Sequence, residues 1–266
     1  MQTLQAARAS NSTSITTSAE TLEDYDLGGV DCPLCGNTGR LIEQGPGLLE
    51  LHVRECACMR KRRSLRSLRR SGMADMARRY TFAAYQTDSE HRRAVKAAAE
   101  RFVQADEGWF FIAGQSGSGK SHICTAICAA LIERGLELSF LSWRDEAPSL
   151  KASVTEREQY ETRMKKLKSV PVLYIDDFLK GKITEADVNL AFEILNARYN
   201  NAALRTVLSS EWKLDELLQL DEALGGRICE RARGFTVLAP PDNWRLRPTP
   251  QMPQMPSRIP AGVWNE

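Results

Sequence analysis

Residues 109–121 read Trp109-Phe-Phe-Ile-Ala-Gly114-Gln115-Ser116-Gly117-Ser118-Gly119-Lys120-Ser121, and this stretch decides the fold. Five apolar residues predict a short strand buried on both faces. Gly114 to Ser121 fits G-x-x-x-x-G-K-[ST], and the Ile/Ala-rich run after it predicts a helix over 120–134. Strand, glycine-rich turn and helix form a phosphate-binding loop. Glycines let backbone N–H groups turn inward around phosphate oxygens, and the helix start adds its positive dipole end. Lys120 is placed to neutralise the β and γ oxygens of a nucleoside triphosphate, and Ser121 to offer its hydroxyl to Mg²⁺. The bland alternative is a Gly/Ser-rich connecting loop, which needs neither the preceding strand nor the following helix.

Outward from this loop, short apolar runs alternate with helical patterns, the sign of a parallel α/β sheet. Five strands are predicted at 109–113, 136–142, 170–175, 205–209 and 235–238. Helices are predicted at 120–134, 156–168, 185–199 and 214–231, the last broken near Gly225-Gly226. After 238 the chain is rich in proline, so the fold is expected to end at the fifth strand. The third strand, Val170-Pro-Val-Leu-Tyr-Ile, ends in Asp176-Asp177. Beside a phosphate loop, Asp176 would hold Mg²⁺ through water and Asp177 would orient or deprotonate an attacking water. Without the loop, such a pair is as readily a helix cap. Cys124 and Cys128 share a helix face and read as small core residues, and His91 and His122 have no partner pattern.

Upstream, Cys32-x-x-Cys35 is followed after twenty residues by Cys56-x-Cys58. Four thiolates suit Zn²⁺ in a closed tetrahedral site that organises a miniature domain and leaves no position for catalysis. His52 is an alternative ligand. Residues 60–79 carry nine cations and the single acid Asp75. They read either as a solvated helix with Leu65 and Leu68 on the core, or as a phosphate-contacting stretch for single-stranded DNA. Residues 1–24 are Ser/Thr/Ala/Gln-rich and read as a disordered tail. The chain thus divides into the tail at 1–24, a zinc-binding domain at 25–60, a basic linker at 61–90, the ATPase domain at 91–240 and a Pro-rich tail at 241–266.

Across 266 residues, 36 Lys and Arg balance 34 Asp and Glu, so no global charge excess points to nucleic acid. Neither a membrane span nor an apolar leader is evident. A cytoplasmic setting is expected, and seven cysteines, four of them clustered, favour a metal and buried thiols over disulfides.

Leu173-Tyr-Ile-Asp-Asp-Phe178, Asn196-Ala-Arg-Tyr199, Leu208-Ser-Ser-Glu211 and Asp221-Glu-Ala-Leu-Gly-Gly-Arg-Ile228, with the paired cysteines, resemble the AAA+ ATPases of the bacterial and phage helicase-loader family, DnaC/DnaI-like, over about residues 30–247. The resemblance implies a P-loop AAA+ core with a five-stranded parallel sheet flanked by helices, preceded by a zinc-binding adaptor and lacking the helical lid, since 28 proline-rich residues follow Leu238. It implies ATP, Mg²⁺ and Zn²⁺, and a sensor at Ser210 or Glu211. Arg227 is implied as an arginine finger reaching into a neighbouring subunit's site; without the resemblance it is as well a surface ion pair. Asp177 stands where AAA+ enzymes usually have Glu, which implies slow ATP hydrolysis. The implied partners are a replicative DNA helicase, single-stranded DNA and further copies of this chain, with no membrane. An IstB-like transposition helper is the first alternative and a P-loop small-molecule kinase the second.

Overall fold

The computed structural model describes residues 31–45, 50–70 and 72–246. The expected tail at 1–24 and residues 247–266 of the expected tail at 241–266 lie outside them. The first part is a hairpin, β1 (Arg40–Gln44) and β2 (Leu51–Glu55), paired antiparallel. It leads into α1 (Cys58–Arg70), α2 (Ala74–Arg79) and α3 (Glu90–Gln104). The core then alternates β3 (Trp109–Ala113), α4 (Lys120–Glu133), β4 (Leu138–Ser142), α5 (Trp143–Ala152), α6 (Arg157–Ser169), β5 (Val172–Phe178), α7 (Glu185–Tyr199), β6 (Arg205–Ser210), α8 (Leu214–Leu220), α9 (Glu222–Arg231) and β7 (Thr236–Leu238).

The five core strands form one parallel sheet in the order β4-β5-β6-β3-β7. Strand side chains alternate between faces. In β3, Trp109, Phe111 and Ala113 pack with Leu141 of β4, Ile194 of α7 and Ile228 of α9. Phe110 and Ile112 face the other way, onto Phe102 of α3 and Ile123 and Ile127 of α4. Burying both faces accounts for the continuous apolar run of β3. The five expected strands and the helix at 185–199 appear where the pattern placed them, with ends shifted by three residues or fewer.

Three readings need correction. The break in 214–231 falls at Asp221, whose carboxylate caps α9 by accepting from the Leu224 N–H at 2.7 Å, and not at Gly225-Gly226. Gly225 instead lets α8 and α9 touch: a Cβ there would lie 2.7 Å from the Leu218 nitrogen. Residues 143–152, with Pro148 inside, form a helix that periodicity did not separate. The fold also does not stop at the fifth strand. Ala239 N–H donates to the Ala113 carbonyl at 2.7 Å, and residues 241–244 then run back over the phosphate loop.

The basic stretch is a packed helix. Leu68 is 2% exposed and joins the core, while Ser64 and Ser67 accept the N–H groups of Leu138 and Phe140 at 2.8 and 3.4 Å. These two hydroxyls occupy the outer edge of β4, where strand amides would otherwise lack partners.

Candidate nucleotide site and thiol cluster

The loop between β3 and α4 closes on backbone geometry that side chains oppose. Gly117 and Gly119 have φ of 76° and 92°, and Gly119 precedes the first turn of α4. A Cβ on Gly114 would press on Ala239, and one on Gly117 would run into the Asn243 amide. Ser118 donates to the Gln115 carbonyl at 2.8 Å. Ser116 and Gly117 line the adjoining cleft. Lys120 is buried, its ammonium donating to the carbonyls of Gly114 and Gln115 at 2.7 and 2.9 Å. Burial lowers its pKa, against the pull of Glu211 and Asp177.

Strand β5 carries a bulge between Ile175 and Phe178, and Asp177 takes a left-handed φ of 53°. A bulge re-aims neighbouring side chains, and here the two carboxylates diverge. Asp176 accepts from Ser121 Oγ at 3.2 Å and from the Tyr174 hydroxyl at 2.6 Å. Ser121 and Asp176 are thus adjacent, so a Mg²⁺ bound directly by the Ser121 hydroxyl would have Asp176 beside it to hold one of its water ligands. Asp177 turns to Lys180, whose ammonium is 3.1 Å from it and 3.0 Å from Glu211. Burial lowers the Lys180 pKa, but these two carboxylates raise it on balance.

Of the two sensor candidates, Glu211 reaches this network through Lys180. Ser210 is fully buried and points away: its hydroxyl donates to the Phe178 carbonyl at 2.8 Å and accepts from Trp212 N–H. Ser209, one residue earlier, is the hydroxyl in contact with the acidic pair, donating to Asp176 and accepting the Asp177 N–H at 3.0 Å. Strand alternation alone could have found it, once the register of β6 against β5 was fixed. Arg227 lies apart, on α9, bonded to Asn196 at 2.9 Å and packed over the rings of Phe192 and Tyr199. Arg198, in the same quoted motif as Asn196, is structural. It is fully buried and donates to the carbonyls of Leu167, Val170 and Arg205.

A cleft of about 300 Å³ opens beside the loop, with Tyr80, Tyr85, His122 and Trp244 on its walls. His122 stacks on Tyr80 at 4.7 Å and meets Tyr85 edge-on. Burial lowers its pKa, keeping the ring neutral. The Tyr85 hydroxyl is buried without a hydrogen-bond partner, and burial pushes its pKa up to about 12. Asp242 holds Arg92 at 2.7 Å, Trp244 stacks on Arg92, and Trp244 N–H donates to the Gly117 carbonyl at 2.9 Å. The sequence shows no partner pattern for His122, and Asp242 and Trp244 reach the cleft only because the chain returns after β7.

Cys32, Cys35, Cys56 and Cys58 converge with all four sulfurs within 4.8 Å, and His52 is not among them. Instead His52 lies on β2 near Glu50, at 3.4 Å. The pairs Cys32–Cys56 and Cys35–Cys58 are 3.7 and 3.6 Å apart. A tetrahedral zinc with ~2.3 Å bonds separates its sulfurs by about 3.8 Å, so the thiols fit it. Cys124 and Cys128 are buried in the core as expected, and burial raises both thiol pKa values.

Comparison with known proteins agrees with this fold. The family model for the IstB-like ATP binding protein matches residues 46–232, most of the chain. The uncharacterized protein YqaM of Bacillus subtilis is 28% identical over 212 residues, covering 74% of this chain and 66% of that protein. The replicative helicase loader DnaC of Escherichia coli K12 is 24% identical over 207 residues, covering 74% of this chain and 83% of that one. A crystal structure of the DnaC helicase loader shares the fold, with a TM-score of 0.53 at 20% identity over 60% of this chain and 97% of that chain. The chain belongs to the IstB/DnaC-like family of AAA+ ATP-binding proteins. That membership displaces the small-molecule kinase alternative. Among the described residues, no helix is long and apolar enough to cross a membrane.

Proposed function

We propose that this member of the IstB/DnaC-like AAA+ family is an ATP-dependent loader, placing a replicative hexameric helicase on single-stranded DNA. The observation that carries the reading is a physical linkage. The four-thiol cluster runs directly into α1, whose first residue is Cys58, and α1 is bonded to the edge of the nucleotide-binding sheet. A closed metal module of this kind offers a docking surface and no chemistry, and here it is coupled to a nucleotide-responsive body. The zinc module, basic segment and ATPase domain are kept as the working division of the chain.

In this reading the loop Gly114–Ser121 cradles the triphosphate, and Lys120 leaves its carbonyl partners to meet the β and γ oxygens. Ser121 would hold Mg²⁺ directly and Asp176 through water, and the ion would neutralise charge on the phosphates. Asp177 accepts the proton of a water that attacks the γ-phosphorus as the bond to ADP breaks. Its carboxylate is shorter than the Glu usual at this position and engaged by Lys180, which supports slow turnover. Ser209 and Glu211 report the γ-phosphate to the acidic pair, with Ser210 fixing the strand end. Arg227 supplies charge to the site of a neighbouring copy. The base lies in the cleft beside the loop, walled by the stacked Tyr80 and His122 rings and by Trp244. A second reading, a transposition helper acting on duplex DNA, is favoured by the description of the matching family as IstB-like.

The test is ATP hydrolysis without DNA, with single strands and with duplex, for wild type, Lys120→Ala and Arg227→Ala. Turnover raised by single strands and lost in both variants, with ATP still bound by Arg227→Ala, supports the loader. Stimulation by duplex alone favours the helper. Turnover indifferent to DNA and to Arg227→Ala overturns both.

A further inference from the structure

Helix α1 carries more cations than its packing consumes. Arg62 is 2% exposed and donates to the carbonyl and side-chain oxygens of Asn37 at 3.0 Å, tying the thiol module to the helix. Lys61 pairs with Glu133 at 2.8 Å. The remaining face of α1 looks across the edge strand toward α6. Between them lies a cleft of about 560 Å³, bordered by Arg63, Arg66 and Arg70 of α1 and by Arg163 and Lys166 of α6.

The five cations meet three carboxylates, and all three are taken: Glu55 and Glu137 bond Arg63 at 2.5 and 2.9 Å, and Glu146 bonds Arg163. Among the described residues, no ion pair involves Arg66, Arg70 or Lys166. The Arg66 Nε–H is buried with no acceptor, an unmet hydrogen bond that an arriving anion can fill. Burial, then Arg163, Arg70 and Arg63, lower the proton affinity of Lys166 against the pull of Glu137.

The arrangement selects a kind of anion. Arg63, Arg66 and Arg70 follow at i, i+3 and i+7 along about 10 Å of one helix face. Repeated charges in a row match a polymer better than a lone phosphate, and guanidinium forks match phosphate oxygens in particular. Phe140, the aromatic ring in the cleft, is only 4% exposed and offers bases no stacking platform.

We propose that the cleft between α1 and α6 binds the phosphate backbone of a nucleic-acid strand, without reading its sequence. None of its residues lines the nucleotide cleft. The proposal deepens the loader reading and rests on it for the strand being DNA. It also gives the strand a place on the same helix that carries the thiol module.

The test is fluorescence anisotropy of a labelled single-stranded oligonucleotide with the full chain, ATP and Mg²⁺, across a salt series. Arg66→Glu with Lys166→Glu is expected to weaken binding at least about tenfold. It should also reduce the salt slope by about 1.4, the share of two phosphate contacts on a single strand. Lys165→Glu, an exposed charge reversal on the same helix but outside the cleft, is the control and is expected to change affinity less than about threefold. The double Gln variant, milder to the fold and checked by thermal melting, should show the same order of effects. Equal weakening by cleft and control variants means diffuse attraction and overturns the proposal, as does no effect or no wild-type binding. Displacement by inorganic phosphate at constant ionic strength, or by polyglutamate as readily as by unlabelled DNA, also overturns it in favour of a lone phosphate or an acidic protein. Stimulation of ATP turnover by single strands is measured separately, so the cleft can fail while the loader reading stands.

Discussion

The hydroxyl of Ser64 accepts the backbone N–H of Leu138 at 2.8 Å, so a helix rooted in the thiol cluster closes the outer edge of the central sheet. Lys61 with Glu133, Arg63 with Glu137 and Ser67 with Phe140 add polar contacts between the same helix and the ATPase body. Ser64→Ala leaves a buried amide without an acceptor and is expected to cost about 1–3 kcal/mol in denaturant unfolding. Ser67→Ala, losing a longer bond of 3.4 Å, should cost less. Equal stability of Ser64→Ala and wild type would remove this edge as the point of attachment.

Lys180 stands between Asp177 and Glu211 and on the wall of the nucleotide cleft. Lys180→Ala exposes a triphosphate to two carboxylates without their counter-charge. Calorimetric titration should give ATP binding weaker by about tenfold, ~1.4 kcal/mol, with Lys180→Arg restoring most of it. Unchanged affinity would mean that the two carboxylates face away from the bound phosphates.

Two adjacent glycines on α9 should respond in opposite senses. At Gly225 a Cβ meets the backbone of Leu218, so Gly225→Ala is expected to destabilise by about 1–3 kcal/mol through overpacking. At Gly226 nothing lies within 4 Å of the added carbon, and Gly226→Ala should stabilise the helix by about 0.5–1 kcal/mol. Paired melting curves decide it, and a shift of the same sign in both would contradict the packing.

Asp187 links α7 to α5. Its carboxylate bonds Lys151 at 2.6 Å and accepts the Thr184 N–H at 3.0 Å, completing a capping box. Burial raises its pKa, but Lys151 and Thr184 outweigh burial and hold it below its ordinary value. Because the folded pKa is depressed, the stabilisation is complete above the ordinary carboxylate range and is lost as pH falls through the folded value. Asp187→Asn should therefore lower stability at neutral pH and flatten the acid limb of the stability profile. A parallel acid limb in the variant would show that other groups govern it.

Much of the fold was legible because its signals are local. The run at 109–113 is apolar throughout since both faces of a parallel sheet are covered, and the loop at 114–121 needs glycines where φ is positive. The thiol set was legible by spacing, though only the folded hairpin separates His52 from it. Less legible were contacts that join distant segments. Ser209 was missed in favour of Ser210 because adjacent strand residues point to opposite faces, and only the register of β6 against the bulged β5 says which meets Asp176.

The sequence by itself determined the nucleotide loop, the acidic strand end, the parallel alternation and the four thiols, because each depends on neighbours a few residues away or on one recurring period. Tertiary structure alone decided that α1 seals the sheet edge, that residues 241–244 return over Gly117, and that Arg66 and Lys166 share one cleft. Those outcomes depend on where buried amides and uncompensated charges find partners across the folded chain, and no local pattern encodes them.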